Sequence, residues 1–291
     1  MIFFSNKESI TMKLAYSTNA YTRTDLATAL RSIAHLGFAA AEILCDHPHW
    51  LSHQVTRDEV DGVRRLLNET GLAVSNLNAN TVNGYFEPLP PENVFEPSLS
   101  SRNEIWRNWR IDYSLHTLRL AQQLGASCIS LTSGQPGSGG TPEAGLDLFV
   151  DSLKRICREA EALNLRVGIE YEPGLLVERA SELAEVLERV DSPCLGANLD
   201  IGHSYLCGET ALEAVGLLKG RIWNVHLEDI RGHKHYHLIP GEGDLPFRDY
   251  FEALKEVDYQ GYLTLELYTY THDPEQAGRS SLGYLRGLLD E

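Results

Sequence analysis

The sequence predicts a single α/β domain, an eight-stranded (β/α)8 TIM barrel. From Lys13 onward, short apolar runs of strand length alternate with longer amphipathic segments, which is the pattern of a parallel sheet covered by helices. There are eight such runs, and 291 residues are enough for one barrel, whose usual length is ~250 residues. No linker rich in Pro or Ser divides the chain, and no internal repeat exceeds one strand and one helix. We therefore expect one domain.

The predicted strands are short and mainly apolar, as expected for strands buried in a parallel sheet. In chain order they are Lys13–Ser17, Ala40–Leu44, Ala73–Leu77, Cys128–Leu131, Arg166–Glu170, Leu195–Asp200, Ile222–Leu227 and Tyr262–Leu267. Three long segments follow strands, at residues 78–101, 133–142 and 229–246. A barrel keeps its active site on the side where strands end, so we expect these loops to cover a substrate.

The predicted helices carry apolar residues three or four positions apart, which places those residues on one helix face. In chain order these residues are Leu26, Leu30 and Ile33; Val60, Val63 and Leu67; Leu115, Leu118 and Leu124; Leu153, Ile156 and Leu163; Leu183, Val186, Leu187 and Val190; Phe251, Leu254 and Val257; and Leu282, Leu285 and Leu289. The first three helices should stop at Gly37, Gly71 and Gly125, because glycine readily adopts the left-handed conformation that ends a helix. A helix around residues 210–218 has the least regular pattern.

Composition and charge exclude several classes of protein. A net charge of −16 with only 25 Lys and Arg residues argues against nucleic acid as a partner, because sequence-independent binding neutralises phosphates with cations. The five cysteines include no Cys-x-x-Cys pair, which indicates reduced thiols and a cytoplasmic location. No run approaches the ~20 apolar residues that span a bilayer, so no membrane partner is expected. Residues 1–11 are predicted to be a flexible extension, with Met12 as an alternative start, and residues 12–291 the barrel.

Four residues able to bind a hard metal each follow an apolar run: Glu170, Asp200, His226 and Glu266. Successive members are 30, 26 and 40 residues apart, near the roughly 30 residues of one strand and helix, so each belongs to a different strand. All strand ends of a parallel barrel open on one face, where these side chains converge. Three carboxylates and one imidazole favour an oxygen-preferring divalent ion. The competing interpretation is four unrelated residues that cap helices or face water.

The motifs around these residues resemble those of the xylose isomerase-like TIM barrels. The resemblance covers nearly the whole chain from Lys13 and rests on Asp-x-Gly-His at 200–203, His-x-x-Asp at 226–229 and Pro-Gly-Glu-Gly-Asp at 240–244, with Ile-Glu at 169–170 and Leu-Glu at 265–266. This superfamily includes sugar epimerases, hydroxypyruvate and inosose isomerases, dehydroshikimate dehydratases and endonuclease IV. The motifs are specific for the superfamily and not for a substrate.

The resemblance implies a role for each motif residue. Glu170, Asp200, His226 and Glu266 would bind one divalent ion, Mn²⁺ by preference or Mg²⁺, Co²⁺ or Zn²⁺, and His203 would hydrogen-bond the substrate. In epimerases of this family the two glutamates also act as acid and base. A metal that holds the carbonyl and hydroxyl oxygens of a ketose stabilises the enediolate formed when one carboxylate removes the α proton. Return of the proton to the opposite face gives an epimer, and return to the neighbouring carbon gives an isomer.

Further residues are candidates for substrate binding. His49 and Trp50 follow the second strand and are suited to one wall of a sugar pocket, although core packing of Trp50 with His49 exposed is an equal alternative. Arg231 lies near the place where related epimerases carry a substrate-binding arginine, at a different offset from His226. His235 and His237 are candidates for binding substrate or a second ion. The alternative is that both lie in a solvated loop. Asp229 orients either His226 or a loop.

The leading functional hypothesis is a metal-dependent isomerase or epimerase of a small keto-sugar, inosose or related polyol. A dehydratase of the same fold and a non-catalytic metabolite-binding barrel are the alternatives. An endonuclease IV-like activity is disfavoured, because the third and fourth strands end in residues such as Asn78 and Thr132 where that enzyme needs further histidines. The sequence leaves open whether the barrel forms a homodimer.

Overall fold

A computed structural model, which describes residues 12–289, shows one closed barrel of eight parallel strands in sequence order. The strands are β1 (Lys13–Ser17), β2 (Ala40–Leu44), β3 (Ala73–Asn78), β4 (Cys128–Thr132), β5 (Arg166–Glu170), β6 (Leu195–Asp200), β7 (Ile222–Leu227) and β8 (Tyr262–Leu265). Pairing of β1 with β8, with Tyr16 opposite Leu265, closes the sheet. The predicted fold class is confirmed. The expectation for residues 1–11 lies outside the described residues.

Helices cover the barrel and connect its strands. They are α1 (Leu26–Leu36), α2 (Arg57–Thr70), α3 (Glu104–Leu124), α4 (Pro142–Ala162), α5 (Ala180–Val190), α6 (Ile201–Leu206), α7 (Ala211–Leu217), α8 (Phe247–Glu256) and α9 (Pro274–Leu289). As predicted, α1, α2 and α3 end at glycines with positive φ. Among the described residues, none of these helices is long and apolar enough to cross a bilayer.

Strands β3 and β4 each extend one residue further than predicted, and two larger differences from prediction lie around the site. Helix α6, which was not predicted, begins directly after β6, because the Asp200 carboxylate accepts a hydrogen bond from the backbone N–H of His203 and caps the helix. Strand β8 ends at Leu265 rather than Leu267. Glu266 nevertheless stays beside β7, because its backbone N–H donates to the carbonyl of Leu227 at 2.8 Å. Both differences concern residues whose side chains face the site.

Strand alternation separates the core from the site. The outward residues Ile169, Leu199, Val225 and Leu265 are completely buried. On β6, β7 and β8 the inward residues below the site are polar and hydrogen-bond to one another: Asn224 Nδ2 donates to Asn198 Oδ1 at 2.8 Å, and the Thr264 hydroxyl donates to Asn224 Oδ1 at 2.9 Å. Each lies two residues before a predicted metal ligand in the sequence. A hydrogen-bonded layer of polar side chains therefore lies inside the barrel directly below the predicted ligands.

Candidate active site

The four predicted metal ligands form one buried cluster at the C-terminal end of the barrel. Ligand atoms of Glu170, Asp200, His226 and Glu266 all lie within 4.8 Å of one another. Their side chains are at most 8% exposed. Residues separated by up to 96 positions in the chain (170 to 266) are thus brought to one point by the closed sheet. The structure places all four where the strand-end spacing predicted.

The imidazole of His226 lies between two sets of carboxylates. Its Nδ1 atom is 2.9 Å from Glu170 Oε2 and 3.6 Å from Glu266 Oε2, facing the cluster. Its Nε2 atom is 2.8 Å from Glu42 Oε2, on the opposite side of the ring. Burial opposes protonation of His226, but the carboxylates of Glu42, Glu266 and Glu170 outweigh it and hold the pKa of this histidine well above its usual range. His226 is therefore oriented by a carboxylate behind it.

Glu42 is a site residue that was not predicted from the sequence. This residue is completely buried in the middle of β2, where its carboxylate also accepts hydrogen bonds from Asn76 Nδ2 at 2.7 Å and Asn78 Nδ2 at 3.0 Å. Burial raises its pKa, but His226 and these amides outweigh burial and lower it. The available signal was one acidic residue inside the otherwise apolar run Ala-Ala-Glu-Ile-Leu. A charge in a buried strand needs a partner, and here the partner is a predicted metal ligand.

The remaining carboxylates show that the cluster is rich in acceptors. Burial raises the pKa of Glu266 well above its usual range, with His226 opposing. Burial beside Asp200 does the same to the pKa of Glu228, whose carboxylate oxygens have no hydrogen-bond partner among the described residues. Asp200 Oδ2 is likewise buried without a partner there. Unpartnered acceptors and three converging carboxylates are the donor set that a divalent cation requires, so the residues fit a metal ion.

A cavity of about 270 Å³ opens beside this cluster. Amides on its wall hold both predicted catalytic glutamates. Asn19 Nδ2 donates to Glu266 Oε1 at 2.8 Å, and Asn78 Nδ2 donates to the same oxygen at 3.2 Å. Asn80 Nδ2 donates to Glu170 Oε2 at 2.9 Å. Both glutamates line the cavity and are thus presented to it in defined orientations.

Four histidines line the same cavity, and three of them lie together: His203, His235 and His237. His203 and His237 are buried, as the prediction of a binding role requires, and the side chain of His235 is 29% exposed. Burial lowers the pKa of His237 to about 3 and that of His235 to about 4, and the neighbouring His203 contributes to both. Burial also opposes protonation of His203, but the carboxylates of Asp200, Glu172 and Glu170 together outweigh it and raise the pKa of His203.

The structure does not bring His49, Trp50 or Arg231 into the lining of this cavity. Trp50 packs in the hydrophobic core, 5% exposed, and His49 contacts the Thr18 hydroxyl through Nδ1 at 3.2 Å. Arg231 is exposed and donates to the carbonyl of Glu242.

His47, two residues before His49, lines the cavity instead. The reason lies in Asp46, whose carboxylate accepts hydrogen bonds from the backbone N–H groups of His47, Asn83 and Gly84 at 2.7 to 2.8 Å. These bonds tie the segment after β2 to the loop after β3.

Asp229 organises a loop and not His226. Its carboxylate accepts hydrogen bonds from the backbone N–H groups of Ile230, Gly241, Gly243 and Leu245 at 2.8 to 3.1 Å. The partner that His226 finds is Glu42. Of the two roles that the sequence left open for Asp229, the structure shows the second. The Pro-Gly-Glu-Gly-Asp segment is therefore folded around one buried carboxylate.

Comparison with known proteins identifies the family of the chain. The family described as xylose isomerase-like TIM barrel matches residues 30–288. The chain belongs to this family. Fructoselysine 3-epimerase of Escherichia coli O157:H7 is 25% identical over 285 residues, which are 96% of the chain and 99% of that enzyme. Inosose dehydratase of Clostridium perfringens is 26% identical over 135 residues, which cover 40% of the chain and 46% of that enzyme.

Solved structures show the same fold. A D-tagatose 3-epimerase-like protein superimposes with a TM-score of 0.78 at 24% identity, covering 96% of the chain and 99% of that protein. The IOLI protein, solved with a zinc atom, superimposes with a TM-score of 0.78 at 17% identity, covering 96% and 98%. The relatives thus include sugar epimerases and a dehydratase, which supports the assignment of the chain as an enzyme.

Proposed function

We propose that the protein is a divalent-metal-dependent epimerase or isomerase of a small keto-sugar or related polyol. One observation carries this proposal: two buried glutamates, Glu170 from β5 and Glu266 after β8, converge on one ligand cluster and line one cavity. Two positioned carboxylates are the acid and base that proton transfer at a carbon beside a carbonyl requires. The similarity to fructoselysine 3-epimerase over 96% of the chain supports the same chemistry.

The metal would be held by Glu170, Asp200, His226 and Glu266, with Mn²⁺ as the preferred ion. When bound, such an ion supplies positive charge that stabilises the oxyanion of an enediolate. The rest of the chemistry belongs to the side chains. Amides on the cavity wall fix the two glutamates, so that one removes the α proton and the other returns a proton from its own side of the substrate. Return to the opposite face inverts the carbon.

The cavity favours a substrate without phosphate. No Lys or Arg occurs among the described residues that line it, whereas phosphate sites in proteins commonly use these cations. Amides, histidines and carboxylates line it instead, which suits the hydroxyl groups of a polyol. We therefore propose an unphosphorylated sugar or polyol, bound in part by His203 and His237. Nucleic acid fits neither this cavity nor the net charge of −16.

The test is solvent exchange. Metal-loaded protein is incubated in D₂O with a panel of ketoses and inososes, and deuterium entering the carbon beside the carbonyl is followed by NMR. We expect exchange with at least one ketose, and Glu170→Gln and Glu266→Gln to slow it by about 10² to 10⁴, the contribution of a general acid or base. Glu188→Gln, an exposed residue of α5, is the matched control.

Two results would contradict the proposal. One is the absence of deuterium from every ketose, as a non-catalytic binding barrel would show, and the other is exchange at the unchanged rate in both glutamine variants. Product mass separates the dehydratase alternative, because dehydration removes one water and epimerisation conserves mass. The match to fructoselysine 3-epimerase covers 96% of the chain, whereas the match to inosose dehydratase covers 40%. Epimerisation is therefore the expected outcome.

A further inference from the structure

We propose that an apolar groove beside the catalytic cavity binds an aromatic substituent of the substrate, so that the protein acts on a keto-sugar that carries an aryl group. The groove has a volume of about 270 Å³ and is lined by Phe86, Pro90, Val94, Phe95, Glu96, Trp106 and Gln135. Most of these residues belong to the loop between β3 and α3. This inference rests on the proposed function, because it extends the substrate that the cavity accepts.

The groove adjoins the catalytic cavity along one short segment. Residues 93–95 separate the two: Asn93 lines the cavity, Val94 lines the groove and Phe95 lines both. The cavity also contains Glu170 and Glu266, the two glutamates proposed as acid and base. A substrate whose sugar fills the cavity can therefore extend past the Phe95 ring into the groove.

The apolar side chains of the groove are not used to stabilise the barrel. Four of them are half-buried and belong neither to the hydrophobic core nor to the partly buried residues packed against it: Phe86, Val94, Phe95 and Trp106. Single apolar residues on a surface are common, but a contiguous apolar patch often marks a ligand-binding groove. The position of this patch beside the cavity indicates that its ligand is part of the substrate.

Local hydrogen bonds fix the shape of the groove. Asn83 Oδ1 accepts a hydrogen bond from the backbone N–H of Val94 at 3.0 Å, which holds one wall. Asn103 caps α3 and accepts from the backbone N–H of Trp106 at 3.2 Å. The Trp106 ring contacts Phe86 edge to face, with centroids 6.1 Å apart and ring planes at 87°. A groove that is already formed loses little conformational entropy when a ligand binds.

The lining favours an uncharged aromatic ligand. Among the described residues that line the groove none is Lys or Arg, and the Glu96 carboxylate already accepts hydrogen bonds from the Ser98 backbone N–H at 2.8 Å and from the Ser138 hydroxyl. Indole and phenyl side chains form stacked or edge-to-face contacts with another ring. An aryl glycoside joins such a ring to a sugar. Its anomeric carbon is an acetal, so the carbonyl that enolises would lie at another ring carbon.

The test compares two ligands that differ only in the group directed at the groove. Phenyl and methyl 3-keto-β-D-glucopyranoside are titrated into Mn²⁺-loaded protein and followed by calorimetry. We expect the phenyl compound to bind about 10- to 100-fold more tightly, the effect of burying an aromatic ring. Trp106→Ala should remove most of this preference and leave the affinity for the methyl compound unchanged. Ile105→Ala is the matched control, because Ile105 is 77% exposed and does not line the groove, and it should keep the preference.

No difference between the two compounds in the wild type, whether both bind or neither does, would overturn the inference. So would a full preference in Trp106→Ala. Circular dichroism establishes that each variant is folded. If Trp106→Ala is not, Val94→Thr, which adds a hydroxyl at nearly constant size, should reduce the preference, and an unchanged preference would again overturn it.

Two further measurements separate this inference from its alternatives. Sedimentation that shows a dimer in the wild type and a monomer in Trp106→Ala, without a phenyl preference, would assign the groove to a second copy of the chain. Deuterium exchange distinguishes the two proposals. A phenyl preference without exchange contradicts only the proposed function, and exchange with free ketoses but no phenyl preference contradicts only the role of the groove.

Discussion

His226 Nε2 lies 2.8 Å from Glu42 Oε2, while His226 Nδ1 lies 2.9 Å from Glu170 Oε2 in the ligand cluster. A carboxylate behind a ligand histidine fixes the ring orientation and makes the nitrogen in front more basic. The fold itself therefore holds the Glu42–His226 pair with the His226 Nδ1 atom facing the cluster. Since Glu42 comes from β2, four strands and the residue after β8 contribute to one centre.

Glu42→Gln should weaken binding of a divalent ion at the carboxylate cluster by about 10- to 100-fold. Loss of a carboxylate behind a ligand histidine has an effect of this size in other metal sites. The measurement is a Mn²⁺ titration of metal-free protein by calorimetry. Glu188→Gln serves as the control for removal of one negative charge. An unchanged dissociation constant in Glu42→Gln would show that the Glu42 contact does not support the site.

Gly202→Ala should disrupt the start of α6, because a Cβ atom at this position would overlap the carboxyl group of Glu228 and lie 3.0 Å from Ile230 Cγ1. Overpacking of a buried position commonly costs about 1–3 kcal/mol. Urea unfolding measures the loss. The double variant with Glu228→Ala removes the overlapping group and should recover part of it, and no recovery would show that the clash lies elsewhere.

Asp229→Asn should loosen the loop at residues 239–245. The side-chain amide nitrogen of Asn cannot accept hydrogen bonds, and Asp229 Oδ2 receives the backbone N–H groups of Gly241 and Gly243, each at 2.8 Å. Hydrogen bonds to a charged group contribute about 1.5–3 kcal/mol, so a loss of about that size is expected in urea unfolding. Asp244→Asn, which loses one exposed contact to the Gly232 N–H, is the control. Equal losses in the two variants would contradict this role.

Thr56→Ala should cost about 1 kcal/mol at neutral pH, because Thr56 and Glu59 form a capping box at the start of α2. Hydrogen bonds from the Thr56 hydroxyl and backbone lower the pKa of Glu59 from 4.5. A carboxyl group whose pKa is lower in the folded state adds to the free energy of unfolding above pH 4.5. This contribution is lost as the pH falls through the pKa of Glu59 in the folded protein. The stability gap between variant and wild type should therefore narrow in acid, and an equal gap at neutral and acid pH would be inconsistent with this pair.

The barrel and the four metal-ligand candidates could be predicted from the amino-acid pattern. Both follow from periodic features: eight apolar runs predict eight strands, and a ligand-type residue at the end of a run must lie on the open face, because all parallel strands end there. Glu170, Asp200, His226 and Glu266 could be recognised without coordinates for this reason. The helix-ending glycines, such as Gly37, were equally local signals.

Which loop residues reach the site could not be predicted, because it depends on packing between distant segments. Trp50 and His47 are three residues apart, yet one packs in the core and the other lines the cavity, because Asp46 ties this segment to the loop after β3. The contact of Glu42 with His226 joins residues 184 positions apart. Such pairings depend on the direction of a few side chains after the strands close, and neither periodicity nor local motif encodes that direction.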